Sequence, residues 1–154
     1  MAFTAGGFYF VVLAWCFFVL ALKMTFVAFA TGFARKKSGT PASPEDAKLT
    51  GSTYTTETPE AVKRWRRIHR NDMENIIPFA LTFVAFTFAL PGAKDFNYYI
   101  GAVLGIIFVL SRIAHTVSYA LALQPWRSIA FFAGLLSTLV LGLYAGILSF
   151  VTRF

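Results

Sequence analysis

Four long apolar segments, 8–33, 73–91, 96–123 and 128–152, dominate the chain and restrict what it can fold into. The first carries one ionisable residue, Lys23; the second carries Glu74; the third carries Arg112 and His115; the fourth carries none. A helix that crosses the ~30 Å of bilayer hydrocarbon needs ~20 mostly apolar residues. Each segment meets that length, given a residue or two at its ends, and the run from Lys63 to Asn71 extends the second as a helix into water. The expected architecture is therefore all-α, an integral membrane four-helix bundle in a single domain over 1–154. Its helices are expected at about 8–33, 62–91, 96–123 and 126–152, with a loop at about 34–59.

The connections carry their own signals. Pro91-Gly92 with Lys94-Asp95 marks a short turn, and Gln124-Pro125 marks another, with proline near a helix start. Ser38-Gly39-Thr40-Pro41 and Ser43-Pro44-Glu45-Asp46 fill the long loop, and Thr58-Pro59-Glu60 reads as a capped helix start. The first segment is too long for a signal peptide and lacks a basic leading region.

Composition excludes the other classes. Of 154 residues, 57% are hydrophobic and only 14% are charged, against ~25% charged in soluble domains. A soluble chain this short exposes too much surface to accept that ratio. The single cysteine, Cys16, has no internal partner. The net charge of +7 would fit nucleic acid only if the basic residues formed an exposed face. Nine of the 14 instead lie between Arg35 and Arg70, in or beside one loop. The positive-inside tendency then puts loops one and three in the cytoplasm and both termini on the far side. That implies a multi-pass protein of the endoplasmic reticulum or microsomal membrane in a eukaryote, or of the inner membrane in a bacterium. Nucleic acid is not an expected partner; membrane lipids are.

Ionisable residues inside spanning helices are costly and face protein or water. Arg67, Arg70, Asn71 and Glu74 follow spacings of three and four, as do Arg112, His115, Thr116 and Tyr119. At 1.5 Å per residue, Tyr119 lies roughly 6 Å and His115 roughly 12 Å from the nearer end of the third segment. Arg35 ends the first segment, while Arg127 and Ser128 open the fourth. These polar groups converge at one depth and predict a cation-rich cavity open to the cytoplasm. Lys36, Lys37, Lys63, Arg64 and Arg66 read as topology signals and lipid-headgroup contacts. Glu74 reads equally as a partner for Arg70 and as part of a site. Lys23 receives no role. Two His without a neighbouring Cys point to no metal.

Several Arg with one Asn and one Ser suit a small carboxylate-bearing ligand, because arginine grips carboxylates with two bonds. Glu74 would hold an ammonium group. A peptide-like molecule with two carboxylates and one amine matches this balance, and glutathione is one such molecule. A thiol placed beside an Arg is favoured as thiolate, which activates it as a nucleophile.

The stretch Arg67-Ile68-His69-Arg70-Asn71-Asp72-Met73-Glu74-Asn75-Ile76-Ile77-Pro78-Phe79 resembles the signature of the MAPEG superfamily, membrane-associated proteins in eicosanoid and glutathione metabolism. Pro44-Glu45-Asp46, Arg112-Ile113-Ala114-His115-Thr116-Val117-Ser118-Tyr119 and Gln124-Pro125-Trp126-Arg127-Ser128-Ile129-Ala130-Phe131-Phe132 are similar to its other motifs, in register over nearly the whole chain. The resemblance implies a homotrimer with glutathione bound between neighbouring subunits. It implies glutathione contacts at Arg35, Arg70, Asn71, Glu74, His115, Tyr119, Arg127 and Ser128. It implies catalytic roles for Arg127, Asp46 and Ser128, with Arg127 stabilising the thiolate.

Two enzymatic branches of the family compete. The microsomal glutathione transferases conjugate glutathione to lipophilic electrophiles and reduce lipid hydroperoxides. The prostaglandin E synthases isomerise prostaglandin H2. His69 to Glu74, and Asp46 with Ser128, lean to the synthase; Gln124-Pro125 and Phe131-Phe132-Ala133-Gly134 lean to the transferase. Phe131 stands where the synthase usually has Tyr, and Ala47 where some transferases carry a cysteine. The leading expectation is a glutathione transferase with peroxidase activity acting on a lipophilic small molecule. The alternatives are the synthase and a non-enzymatic, lipoxygenase-activating lipid binder. A channel is disfavoured, because the far-side halves of three helices offer almost no polar lining.

Overall fold

A computed structural model describes residues 4–153. Residues 1–3 and 154, at the ends of the expected domain, lie outside the described residues, as does the side chain of Arg153. Five helices follow in order: α1 (Ala5–Lys37), α2 (Pro44–Thr50), α3 (Glu60–Ala89), α4 (Asp95–Ala120) and α5 (Trp126–Arg153). Among the described residues there is no strand. The four long helices are each long and apolar enough to cross a membrane, and each packs against at least two of the others.

The expected loop at 34–59 needs correction at its start, while its end at 59 agrees with α3 beginning at Glu60. The first helix runs on to Lys37, because Arg35, Lys36 and Lys37 in its last turn complement the negative helix end and Ser38 caps it. Within the loop, Ser43 Oγ accepts from the Asp46 amide at 3.3 Å and Pro44 opens a short helix. The Glu45 carboxyl is held below the usual carboxylate range by its own backbone amide and by Ser43. Gly51, at φ 65°, ends that helix. The helix α3 starts within Thr58-Pro59-Glu60 as expected, with Pro59 at the cap position and no side-chain capping bond.

The helix α4 stops at Ala120, short of the expected 123. Leu123 N–H donates to the Ser118 carbonyl at 2.8 Å, and Ala122 N–H to that of Tyr119 at 3.2 Å. This is the double-bonded helix stop usually built on glycine, here with Ala122 at φ 59°. Arg64 Nη1 donates to the carbonyl of Ala120 at 3.2 Å, so a residue read as a topology signal also closes the end of α4.

The core is aromatic. Phe79, Phe83 and Phe86 of α3 are buried with Tyr9 and Phe108. Phe79 stacks on Phe108 with ring centres 3.7 Å apart, and Tyr9 meets Phe83 edge-on. Lipid offers apolar side chains as good a home as the core does, so association rests on fit rather than on escape from water. That fit needs small residues: a Cβ on Gly101 would lie 2.3 Å from Phe86 Cε1, and one on Gly105 would lie 2.6 Å from Phe83 Cζ. Other aromatics of α1, Phe10, Trp15, Phe26 and Phe33 among them, point outward. Tyr9 and Thr87 pair at 2.7 Å, and the Tyr144 hydroxyl donates to Asn97; both contacts close the end away from loops one and three.

Candidate functional site

The end of the bundle that carries loops one and three holds three groups of polar side chains. The first spans α4 and α5. Arg127 lies over the face of Tyr119, its guanidinium carbon 4.6 Å from the ring centre. The Tyr119 ring meets His115 at 5.7 Å, and His115 meets Phe131 at 6.3 Å. The guanidinium carries only donors, so Gln124 turns its amide oxygen to Arg127, accepting from Nε at 3.2 Å, and its amide nitrogen to Ser128 Oγ at 3.2 Å. The Schellman-type stop of α4 and the tight turn at Pro125, whose carbonyl accepts from the Ser128 and Ile129 amides, set this register.

The second group is buried. Asp72, 0% exposed, places Oδ1 2.8 Å from Arg112 Nη2 and forms an ion pair through Oδ2 with Lys23. Arg112 is also 0% exposed and Lys23 only 8%. The same Nη2 donates to Asn71 Oδ1 at 2.6 Å and stands 3.4 Å from His115 Nδ1. Three helices, α1, α3 and α4, thus meet on one carboxylate.

The third group lies outside, on α3 against α1. Arg70 Nε stands 3.8 Å from Glu74 Oε1, with side chains 76% and 61% exposed. Arg70 borders a groove of about 710 Å³ whose α3 wall also carries Lys63, Arg66, Arg67 and His69, with Ala28 and Thr31 opposite. Charges this exposed on a membrane-spanning helix need protein or water against them, not acyl chains.

The expected single cavity is therefore divided within one chain. Tyr119, Arg127 and Ser128 come together, with His115 behind them. Asn71 turns inward to Arg112. Arg70 and Glu74 face out. Among the described residues no hydrogen bond or ion pair joins Arg70 or Glu74 to Tyr119, Arg127 or Ser128. Arg35, in the last turn of α1, donates to the Pro41 carbonyl at 3.5 Å. Asp46 is exposed on α2, which stands apart from the four long helices.

Sequence reasoning missed Asp72, the most enclosed carboxylate. The signal was present: Ile68, Asp72, Ile76, Phe79 and Phe83 repeat every three or four residues on the buried stripe of α3. Lys23 and Arg112 each needed an intramembrane anion, and Asp72 is the carboxylate both reach.

Four membrane-length helices with charged side chains gathered toward one end define an integral-membrane bundle, and the sequence comparisons say which family it belongs to. The MAPEG family profile matches residues 12–147. The chain is 37% identical over 117 residues to "Prostaglandin E synthase" of Bos taurus, covering 75% of this chain and 73% of that protein. It is 36% identical over 117 residues to "Prostaglandin E synthase" of Homo sapiens, covering 75% and 74%. It is 36% identical over 121 residues to "Microsomal glutathione S-transferase 1" of Rattus norvegicus, covering 75% of each. The chain belongs to the MAPEG family.

Proposed function

We propose that this protein is a glutathione-dependent membrane enzyme that conjugates glutathione to lipophilic electrophiles and reduces lipid hydroperoxides. One observation carries the reading. Among the described residues Arg127 has no carboxylate partner; it rests on an aromatic ring and an amide. A cation so held keeps its charge for a ligand's anion, and a thiolate beside it is stabilised before and during attack. In conjugation the thiol gives up its proton, sulfur bonds to the electrophilic carbon, and the leaving group departs with its electron pair. In the peroxidase reaction two thiols become a disulfide while the hydroperoxide becomes an alcohol and water.

Arg127 and Ser128 would face the sulfur. Arg35, Arg70, Asn71, Glu74, His115 and Tyr119 would bind the rest of glutathione, with Arg for its carboxylates and Glu74 for its ammonium. Asp46 is proposed as a further catalytic residue on the family resemblance. The exposure of Arg70 and Glu74 supports a site completed between copies, in a homotrimer with loops one and three cytoplasmic in the endoplasmic reticulum or a bacterial inner membrane. Apolar substrate would arrive from the bilayer.

A second reading, isomerisation of prostaglandin H2, is favoured by the relatives named prostaglandin E synthase at 36–37% identity. Assays of the full chain in detergent, with and without glutathione, separate the readings. Faster turnover of a chloronitrobenzene and a lipid hydroperoxide than of prostaglandin H2 is the expected result. The reverse order would establish the synthase reading, and absence of glutathione binding in calorimetry would leave a non-enzymatic lipid binder.

A further inference from the structure

Nothing in the proposed chemistry uses Lys23, Asp72 or Arg112, yet they are the most enclosed charges in the bundle. Two cations surround one carboxylate at 8%, 0% and 0% exposure. A cluster kept only to join helices could be replaced by apolar side chains, often with a gain in stability. This one has directional contacts beyond its own charges. Arg112 Nη2 has two hydrogens, and they serve Asp72 Oδ1 at 2.8 Å and Asn71 Oδ1 at 2.6 Å. Its third neighbour, His115 Nδ1 at 3.4 Å, belongs to the ring that meets Tyr119, and Tyr119 is the platform under Arg127. The carboxylate cannot rotate away, because its other oxygen is held by Lys23 from α1.

We infer that Asp72, anchored by Lys23, is a positioning residue for the glutathione site: it holds Arg112 in the one orientation that fixes Asn71 on one side and the His115–Tyr119–Arg127 stack on the other. This rests on the function proposed above. Asp72 touches no substrate; it acts through Arg112. Loss of its charge leaves Arg112 free to turn from Asn71 and His115, and both the peptide-binding and the thiolate-stabilising groups lose their register together.

Three variants of the full-length protein in detergent test the inference. Asp72→Asn removes the anion but leaves two buried cations, a state that threatens folding. Lys23→Met/Asp72→Asn relieves that repulsion and keeps an amide oxygen for Arg112. Arg112→Lys keeps a cation, but its chain is one bond shorter, so the ammonium falls short of the point from which Nη2 serves both Asp72 and Asn71. Each is measured for helix content, oligomer size, thermal unfolding, kcat and KM for glutathione, and the ultraviolet absorbance of bound thiolate. The expected result, in every variant that retains parental helix content and size, is a KM for glutathione raised about tenfold, the scale of one lost charge-assisted hydrogen bond, with weaker thiolate absorbance at saturation. A folded double variant or a folded Arg112→Lys that keeps KM and thiolate absorbance within about twofold of the parent, a shift too small for one such bond, overturns it, whatever its unfolding temperature, and leaves the function standing. Failure of all three to fold also overturns it, assigning the cluster to folding. A parent that binds no glutathione in the same titration overturns both.

Discussion

The guanidinium of Arg127 is stacked on Tyr119, 4.6 Å from the ring centre, instead of being paired with an acid. An aromatic face holds a cation in place without neutralising it. Arg127→Ala is accordingly expected to lower kcat by about 10²–10³ while KM for glutathione changes little, because the reactive thiolate fraction falls while the rest of glutathione is still held by other residues. Tyr119→Leu, which removes the platform and keeps the arginine, is expected to lower kcat less. Steady-state kinetics on both variants check this, and full turnover by Arg127→Ala with glutathione still bound would remove its proposed role.

Among the described residues no hydrogen bond or ion pair joins Arg35, in the last turn of α1, to Arg127, in the first turn of α5. If the site is shared between copies, Arg35→Ala and Arg127→Ala subunits co-expressed will form some intact sites. Mixed oligomers are then expected to regain activity that neither variant has alone. Purification through two different tags, followed by the conjugation assay, measures it; no recovery would confine each site to a single chain.

Ala122 adopts a left-handed backbone at φ 59°, where a Cβ costs about 1–2 kcal/mol. Ala122→Gly is expected to stabilise the fold by about 1 kcal/mol, with a higher unfolding temperature in detergent. The hydrogen bonds from residues 122 and 123 back to Tyr119 and Ser118 are retained, so the loop leading to Arg127 keeps its course.

Gly101→Ala is expected to do the opposite. The added Cβ would meet Phe86 Cε1 at 2.3 Å and Tyr9 Cε2 at 2.8 Å, both in fully buried rings. Overpacking of this kind costs about 1–3 kcal/mol. A lower unfolding temperature with unchanged glutathione affinity is the expected outcome, since the contact lies far along α4 from Tyr119.

The membrane class, the four long apolar runs and the crowding of polar residues at one end were all legible in the sequence, because length and hydropathy are local properties. The α2 helix was not expected: Ser43-Pro44-Glu45-Asp46 was read as part of the long loop, because seven helical residues are too few to show a period. Asp72 was passed over because its neighbours Arg70, Asn71 and Glu74 made it look like one more polar residue at a helix mouth. What distinguishes it is rotation: it sits on the stripe of Ile68 and Ile76, while Arg70 and Glu74 sit outside. The division of the expected cavity was not readable either, since helix spacing shows which residues share a face but not which partner covers it.

The ion cluster also bears on how the protein is made. Lys23 lies near the middle of α1, which leaves the ribosome before α3, whereas its anion arrives only with α3. During synthesis α1 must therefore partition into the bilayer with an unmatched ammonium, a burden of about 3 kcal/mol for a lysine at mid-depth. It is also the most apolar of the four spanning helices. Its outward phenylalanines then serve as ballast for insertion, holding the helix in the bilayer until Asp72 emerges to neutralise the lysine.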